Sequence, residues 1–409
     1  MKIAILTQYY PPEMGAPQGR LSELAKAITG LGHEVFVLTA MPSYPLGRTF
    51  DGYGGIMRRE TRDGATVIRT WAYPTQSPSI VKRLASYFSF VVSSLCIGAF
   101  VLPRVDYLLT ESPPVFLGLS GLLLSRLKGA RWIFNVSDLW TETAVRIGVL
   151  APDGWKRRWA HKLEKLCYRK SWLVTGQSKE IIQQIQREVP GVETFHLSNG
   201  VNTKMFHPAH RREEIRRELG FGDDCVALYA GLHGLAQGLM QVLDAAELLL
   251  GTPGLQIVFV GDGPDKAALV RSARERKLTN VRFLDPVPRE RMPLINSAAD
   301  IGLVPLKVEL PGATPSKLYE YMGSGLPVVL AATGEPACIV ADAQCGITVA
   351  PEDPVALADA IRRFTSDPDL RQAFAGAGRR AAERLYDREV ISAKFVEHLV
   401  AAGRTHAAN

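Results

Sequence analysis

Short apolar runs alternate along the chain with longer stretches in which apolar positions recur every three or four residues. A short continuous apolar run bounded by turn residues reads as a strand buried on both faces. The longer periodic stretches read as the helices that cover it. In the first half, strands are expected over Lys2–Thr7, Glu34–Thr39, Thr66–Thr70, Tyr107–Thr110, Arg131–Val136 and Trp172–Gly176, with helices over Gly19–Leu31 and Leu117–Leu127. The second half restarts the alternation. Strands over Cys225–Ala230, Gln256–Val260, Val281–Leu284, Ile301–Val304 and Pro327–Ala331 are separated by helices over Met240–Leu250, Asp265–Arg276 and from Lys317 onward. The tail Pro354–Val400 is helical by pattern. Repeated βα units of this kind build parallel sheets, so the fold class is α/β, with two Rossmann-like doubly wound domains facing each other across a cleft. The turn-rich Asn199-Gly-Val-Asn202 and the charged run Arg211–Glu218 mark the linker. The domains are accordingly 1–200 and 201–380, with a helical tail, 381–409, crossing back to the first.

One segment breaks the alternation. From Leu84 to Pro103 twenty consecutive residues carry no charge, flanked by Lys82-Arg83 and Arg104. The length suits a bilayer span, a buried helix, or a helix lying in a membrane surface with its basic ends on anionic headgroups. Its serines and the strands expected on either side argue against a span.

Composition narrows the class. The 409 residues are 46% hydrophobic and 22% charged, which excludes a disordered chain or a coiled coil. A net charge of +7 suits an anionic partner, while a mean hydropathy of +0.02 points to contact with something apolar. No basic stripe interleaved with aromatics supports nucleic acid as that partner. The five cysteines form neither a CxxC pair nor zinc spacing and read as reduced thiols, which suits a cytoplasmic protein. The opening Met1–Thr7 reads as a first strand, not a signal peptide.

Three strand-to-helix junctions could hold phosphate. In Pro11-Pro-Glu-Met-Gly15-Ala-Pro-Gln-Gly19-Arg20 the first helix begins beside Gly15. In Tyr229-Ala-Gly231-Leu-His233-Gly234-Leu-Ala-Gln237-Gly238 the same pattern recurs, with His233 and Gln237 able to add side-chain donors to a diphosphate. In Gly312-Ala-Thr-Pro-Ser316-Lys317-Leu318-Tyr-Glu320, Ser316 reads as the N-cap and Lys317 as a cation awaiting an anion; Glu320, one turn on, suits a ribose diol. Unpaired N–H groups and the helix dipole make each junction an anion site. Asp367-Pro-Asp369 reads as a turn and N-cap, and His207-Pro-Ala-His210 as a loop, so no metal site is expected.

These junctions occur in a longer series. Val260-Gly261-Asp262-Gly263-Pro264, Asn280–Leu284 followed by Ala299-Asp300-Ile301, Pro315–Pro327, and Asn199-Gly200-Val201 with Phe206 and Pro208 resemble the motifs of family 4 retaining glycosyltransferases. Tyr9-Tyr-Pro-Pro-Glu13, Pro42–Pro45, Ser112-Pro-Pro114 and Asp138-Leu-Trp140 are similar to the bacterial surface-polysaccharide branch, near the N-acetyl-L-fucosamine transferases. The resemblance implies the GT-B fold, no metal or other cofactor, and a UDP-sugar donor held by the C-terminal domain. The acceptor it implies is a sugar linked to a polyprenyl diphosphate, at the inner face of the plasma membrane. By position it assigns Glu320 to ribose. Gly231, His233, Gly234, Gln237, Gly261, Ser316, Lys317 and Leu318 go to the diphosphate region, Val287 to the base, and Gly15 to closure on the donor. Asp138, Lys317 and His233 are its catalytic candidates. The chain departs from the family where Gly312 replaces the first of two paired Glu, so that the contact to a donor-sugar hydroxyl is either missing or supplied elsewhere, with Glu309 a candidate. It departs again where His233 and Gln237 replace Arg and Lys, and where Ser137 replaces the His before Asp138. An epimerase or hydrolase of the same fold and a non-catalytic membrane-surface scaffold are the rival readings.

Overall fold

The computed structural model describes every residue except 14, 78, 147–149, 308–311 and 408–409, together with all side chains but those of 16 and 404–407 among the rest. The chain divides into two units, Met1–Ser198 with Ile391–Asn409, and Asn199–Val390.

The first unit is built on eight strands: β1 (Lys2–Leu6), β2 (Glu34–Ala40), β3 (Met57–Arg62), β4 (Ala65–Thr70), β5 (Tyr107–Ser112), β6 (Arg131–Val136), β7 (Leu173–Gly176) and β8 (Thr194–His196). Their order is β3-β4-β2-β1-β5-β6-β7-β8, parallel throughout except for the antiparallel β3–β4 pair. The central strands are buried on both faces, which is why they read as unbroken apolar runs. β3, with sequence MRRETR, carries no such signal because it is an edge strand, and charge on an edge discourages pairing with another chain. The tail helix Arg388–Ala407 supplies Ile391, Phe395, Val396 and Leu399 to the core beneath β1 and β5. This contribution starts at Ile391, later than 381, because Ala381 and Ala382 pack in the second unit and Val201 pairs with Asp387 there.

The uncharged segment forms the helix Ile80–Val101. β4 and β5, on either side of it in sequence, lie in one sheet, so the helix docks on that sheet and does not cross a bilayer. Its serines face inward. Ser94 Oγ meets Ser120 Oγ at 3.3 Å, Ser93 Oγ donates to the Trp71 carbonyl at 2.5 Å, and Ser86 accepts from Gln8 Nε2 at 3.4 Å. Gly98 allows a close approach, since a Cβ there would lie 2.8 Å from Leu38 Cδ2. The outward stripe is Val81, Ala85, Phe88, Val92, Cys96 and Phe100, and Phe100 is 90% exposed. The helix is thus apolar on its outer side as well as on the side that packs through Phe90 and Val91, unlike an ordinary surface helix.

The second unit has six parallel strands: β9 (Cys225–Ala230), β10 (Leu255–Val260), β11 (Val281–Leu284), β12 (Ile301–Pro305), β13 (Val328–Ala331) and β14 (Gly346–Val349). Their order, β11-β10-β9-β12-β13-β14, is the doubly wound one, and strand direction of travel reverses between β9 and β12. In the first unit the reversal falls between β1 and β5. Ligands of such sheets bind outside the carboxyl ends of the strands at the reversal.

The charged run Arg211–Glu218 is a correction to the sequence reading. It holds the helix Glu213–Glu218, and Arg216 on it is buried in the second unit. The Arg216 guanidinium donates to the Ala298 and Asp224 carbonyls, both at 2.6 Å, and pairs with Asp300 at 3.1 Å. A run of charges reads as solvated, but here one of them ties the start of the unit to β9 and β12.

Candidate functional site

At the carboxyl ends of β9 and β10 two loops interlock. Gly231 N donates to the Val260 carbonyl at 2.9 Å, His233 N to the Asp262 carbonyl at 2.8 Å, and Asp265 N to the His233 carbonyl at 3.0 Å. Gly261, at φ 137°, makes this possible: a Cβ there would stand 2.0 Å from the Gly231 carbonyl oxygen. Lys266 clamps the neighbouring ends, its Nζ donating to the Gly261 carbonyl at 2.9 Å and lying 3.3 Å from both the Leu284 carbonyl and Asp285 Oδ1. No sequence signal singles out this lysine. Val287, in the loop after β11, packs half-buried against the apolar core.

His233 lies behind this loop. The ring is fully buried, with Tyr229, Phe259 and Phe283 around it at centroid distances of 5.8, 6.1 and 6.5 Å. Burial lowers its pKa, the Lys266 ammonium adding to the effect and the Asp262 carboxylate opposing it. The imidazole is therefore a neutral ring held behind the loop, its Nε2 3.4 Å from the position a Cβ on Gly261 would take. Gly234 lies buried beside it, and Gln237 is half-buried in a short 3-10 turn, Leu235–Gln237. The α-helix that follows begins at Met240, where the sequence pattern places it. Left-handed Gly238 breaks the path, and Lys307 N donates to the Ala236 carbonyl at 2.9 Å, pinning the turn to the segment after β12.

The third junction supplies the charge. The helix Ser316–Gly323 starts one residue earlier than an Ser316 N-cap requires: Pro315 holds that place and Ser316 is the first helical residue. Leu318 N bonds back to the Pro315 carbonyl at 3.1 Å, and the first N–H groups of any helix lack acceptors within it. Tyr321 locks the helix to β9, accepting from Ala230 N at 3.0 Å and donating to the Leu228 carbonyl at 3.2 Å. Lys317 Nζ lies 3.8 Å from the centroid of the Tyr229 ring, and the Tyr229 hydroxyl is committed to the Leu232 carbonyl at 2.6 Å. A Cβ on Gly231 would come within 3.1 Å of that ammonium, so lysine and glycine turn share one spot. Burial pushes the Lys317 ammonium down to about 7, the Glu320 carboxylate pulling the other way. Gly231, Gly261, Lys317 and Glu320 thus converge: an ammonium on an aromatic face beside a helix mouth is a receptor for an anion. Gly312 has a left-handed φ of 71°, and Glu309 lies outside the described residues.

In the first unit, Gly15 precedes the helix Ala16–Gly30 in an extended conformation. Glu13 beside it is buried and accepts from Ser43 N and Tyr44 N, each at 2.8 Å, and from Tyr10 N at 3.3 Å, tying two loops together. Asp138 accepts from Thr143 Oγ1 at 2.6 Å, and burial raises its carboxyl above the usual range. Asp367 accepts from Leu370 N as the N-cap of Pro368–Ala381, and His207 caps a short 3-10 turn. Among the described residues no three His, Cys, Asp or Glu side chains gather as a metal site.

Two family descriptions cover most of the chain. Residues 15–200 match the glycosyl transferase 4-like domain, and residues 211–381 match glycosyl transferases group 1. The chain belongs to these glycosyltransferases. WcaI of Escherichia coli strain K12, a glycosyl transferase assigned to colanic acid biosynthesis, is 28% identical over 98% of this chain and 100% of its own. Among solved structures, the sucrose-phosphate synthase of Thermosynechococcus elongatus covers 100% of both chains at a TM-score of 0.79 and 20% identity. HepE of Anabaena, in complex with UDP, covers 98% of this chain and 100% of its own at 0.73 and 17%. The fold of this glycosyltransferase is GT-B, and its relatives include enzymes of bacterial polysaccharide synthesis.

Proposed function

We propose that this glycosyltransferase is a retaining enzyme. It moves an N-acetylated deoxyhexosamine from a UDP-sugar to a sugar on a polyprenyl diphosphate, in surface-polysaccharide synthesis at the cytoplasmic face of the membrane. The observation that carries the donor side is Lys317, held over Tyr229 at the mouth of the Ser316–Gly323 helix and beside Gly231. A diphosphate placed there meets the ammonium and the helix N–H groups, while Glu320 accepts from the ribose hydroxyls. HepE of Anabaena, which has the same fold, binds UDP, in keeping with a nucleotide-linked donor.

In the reaction the bond from the anomeric carbon to the diphosphate oxygen breaks as the acceptor hydroxyl oxygen bonds to that carbon from the same face, its proton passing to the departing diphosphate. Charge grows on the departing diphosphate, so groups aimed at that charge stabilise the transition state more than the ground state. No metal or other cofactor is required for this scheme, the nucleotide sugar being a substrate. The test is a panel of radiolabelled UDP-sugars with lipid extracted from polysaccharide-producing cells. Label is expected in a lipid-extractable product. Donor turned into an isomer or free sugar without acceptor, and no labelled lipid, would replace this reading with the epimerase or hydrolase one.

The membrane side rests on the apolar outer side of the helix Ile80–Val101 and on its neighbours. The helices Ile80–Val101, Leu117–Lys128 and Trp155–Lys170 pack against the same core of the first unit. Together they carry eleven Lys or Arg against one acid, Glu164, which is buried and bonded to Thr141. Their outer sides expose Val92, Phe100, Leu127, Trp155 and Trp159. Apolar side chains ringed by cations suit an anionic bilayer surface. The doubly substituted Val92→Asp, Phe100→Asp protein should keep its melting temperature, because both positions face solvent. Its binding to phosphatidylglycerol-containing vesicles should fall roughly tenfold or more in flotation. A wild-type protein that fails to float with such vesicles would refute the docking surface.

A further inference from the structure

At the edge of the first unit where β1 and β5 begin, opposite the carboxyl-end crevice, lies a cavity of about 450 Å³. Clefts that hold small molecules have this order of volume, roughly 300–1,000 Å³. Its walls come from the segment between the helix Ile80–Val101 and β5, and from the last turn of the helix Leu117–Lys128. Three cations line it, Arg104, Arg126 and Lys128, against one carboxylate, Asp106. Asp106 accepts from Lys2 N at 2.7 Å, and Lys128 Nζ donates to the Ala99 carbonyl at 2.7 Å. The two arginines are uncommitted. Among the described residues neither guanidinium has a hydrogen bond or an ion pair, and both are exposed.

Basic residues in the last turn of a helix complement its dipole, which accounts for Arg126 and Lys128. It accounts neither for Arg104, which lies on another segment, nor for the cavity between them. The rim adds a second property. Leu127 lines the cavity and is 59% exposed, and Phe100, next to the carbonyl that Lys128 holds, is exposed as well. A free anion would gain nothing from those side chains, whereas the acyl chains of a lipid would bury them. Three cations and one carboxylate leave a surplus of positive charge, which disfavours a headgroup that carries its own cation. A phosphodiester for the guanidiniums, joined to hydroxyls that can donate to Asp106, is the complementary set.

We propose that this cavity is a discrete site for the headgroup of phosphatidylglycerol. The phosphodiester lies between Arg104 and Arg126, the glycerol hydroxyls point to Asp106, and the chains cover Leu127 and Phe100. The inference rests on the membrane-docking reading and goes beyond it. Surface charge attracts any anionic bilayer, whereas a site takes up one lipid molecule and saturates.

The probe is dihexanoyl phosphatidylglycerol below its micelle concentration, titrated into the full chain by calorimetry. Saturable one-to-one binding is expected. Dihexanoyl phosphatidylcholine, with the same chains, and glycerol phosphate, with none, should each bind about tenfold more weakly or worse. The doubly substituted Arg104→Gln, Arg126→Gln protein should melt close to wild type, since neither guanidinium has a partner to lose. It should bind the probe about thirtyfold more weakly, at roughly fivefold for each cation. Arg158→Gln with Lys162→Gln removes two exposed cations of the helix Trp155–Lys170 outside the cavity, and should leave probe binding within about twofold. Equal losses in the two variants would overturn the site in favour of general surface charge. Equal binding of phosphatidylcholine would overturn headgroup recognition, and equal binding of glycerol phosphate would make the ligand a free phosphate. A wild type that floats with phosphatidylglycerol vesicles yet takes up no short-chain lipid would sink this site alone. A wild type that does neither would remove the membrane reading beneath it.

Discussion

Replacing Lys317 by Ala should lower kcat/KM for the donor by about 10²–10³-fold, the usual cost of deleting one group aimed at developing charge. The reason is geometric as much as electrostatic. The ammonium is prepositioned on the Tyr229 ring against the Gly231 turn, so little reorganisation accompanies the departure of the diphosphate. Its titration gives a second readout. In the free protein Lys317 loses its proton near pH 7, and a bound diphosphate favours the charged form. Below pH 7 the lysine is already charged and donor binding should take up no proton there. As pH rises above about 7, binding should take up as much as one proton, and affinity should fall by up to about tenfold per unit. Titration calorimetry of UDP in buffers of different ionisation enthalpy measures this uptake. Lys317→Ala should abolish it, and an identical uptake in that variant would assign the proton elsewhere.

Gly261→Ala should be nearly as damaging by a different route. The added methyl would meet the Gly231 carbonyl at 2.0 Å, and neither partner can retreat. Gly231 is bonded to Val260, and the Gly261 carbonyl is held by Lys266. The φ of 137° is itself a conformation that L side chains rarely adopt. Overpacking and backbone strain of this order cost about 3 kcal/mol, which in a unit of this size is roughly 6–12 °C of melting temperature. UDP should no longer protect the variant in a thermal melt. A Gly261→Ala protein with wild-type melting temperature and UDP affinity would show that the interlocked loops are dispensable.

How much of this was legible in the sequence follows from what each feature depends on. The parallel strands are legible because burial on both faces demands unbroken apolar runs, as in Leu228–Ala230 or Ile257–Val260. The glycine turns at 231 and 261 are legible because few other residues permit their backbone. β3, β8 and β14 are not, because edge strands with half-exposed faces lose that pattern. Polar partnerships are least legible of all. Arg20 and Glu111 lie 91 positions apart, and Arg216 and Asp300 lie 84 apart. Nothing local to any of them distinguishes a buried partner from a solvated charge. His233 shows a related limit, because nothing in its glycine-rich turn tells that Tyr229, Phe259 and Phe283 surround its ring.

The placing of the helix Arg388–Ala407 has a consequence for biogenesis. Since Ile391, Phe395, Val396 and Leu399 of this helix complete the core of Leu21, Leu24 and Tyr107, the second unit is topologically an insertion within the first. During synthesis the ribosome must deliver all of residues 199–390 before the earliest strands receive their final cover. In that interval the second unit, continuous in sequence, is free to fold by itself, while the first waits with an apolar face open. The order of translation is therefore opposite to the order of completion. The half that begins first closes last.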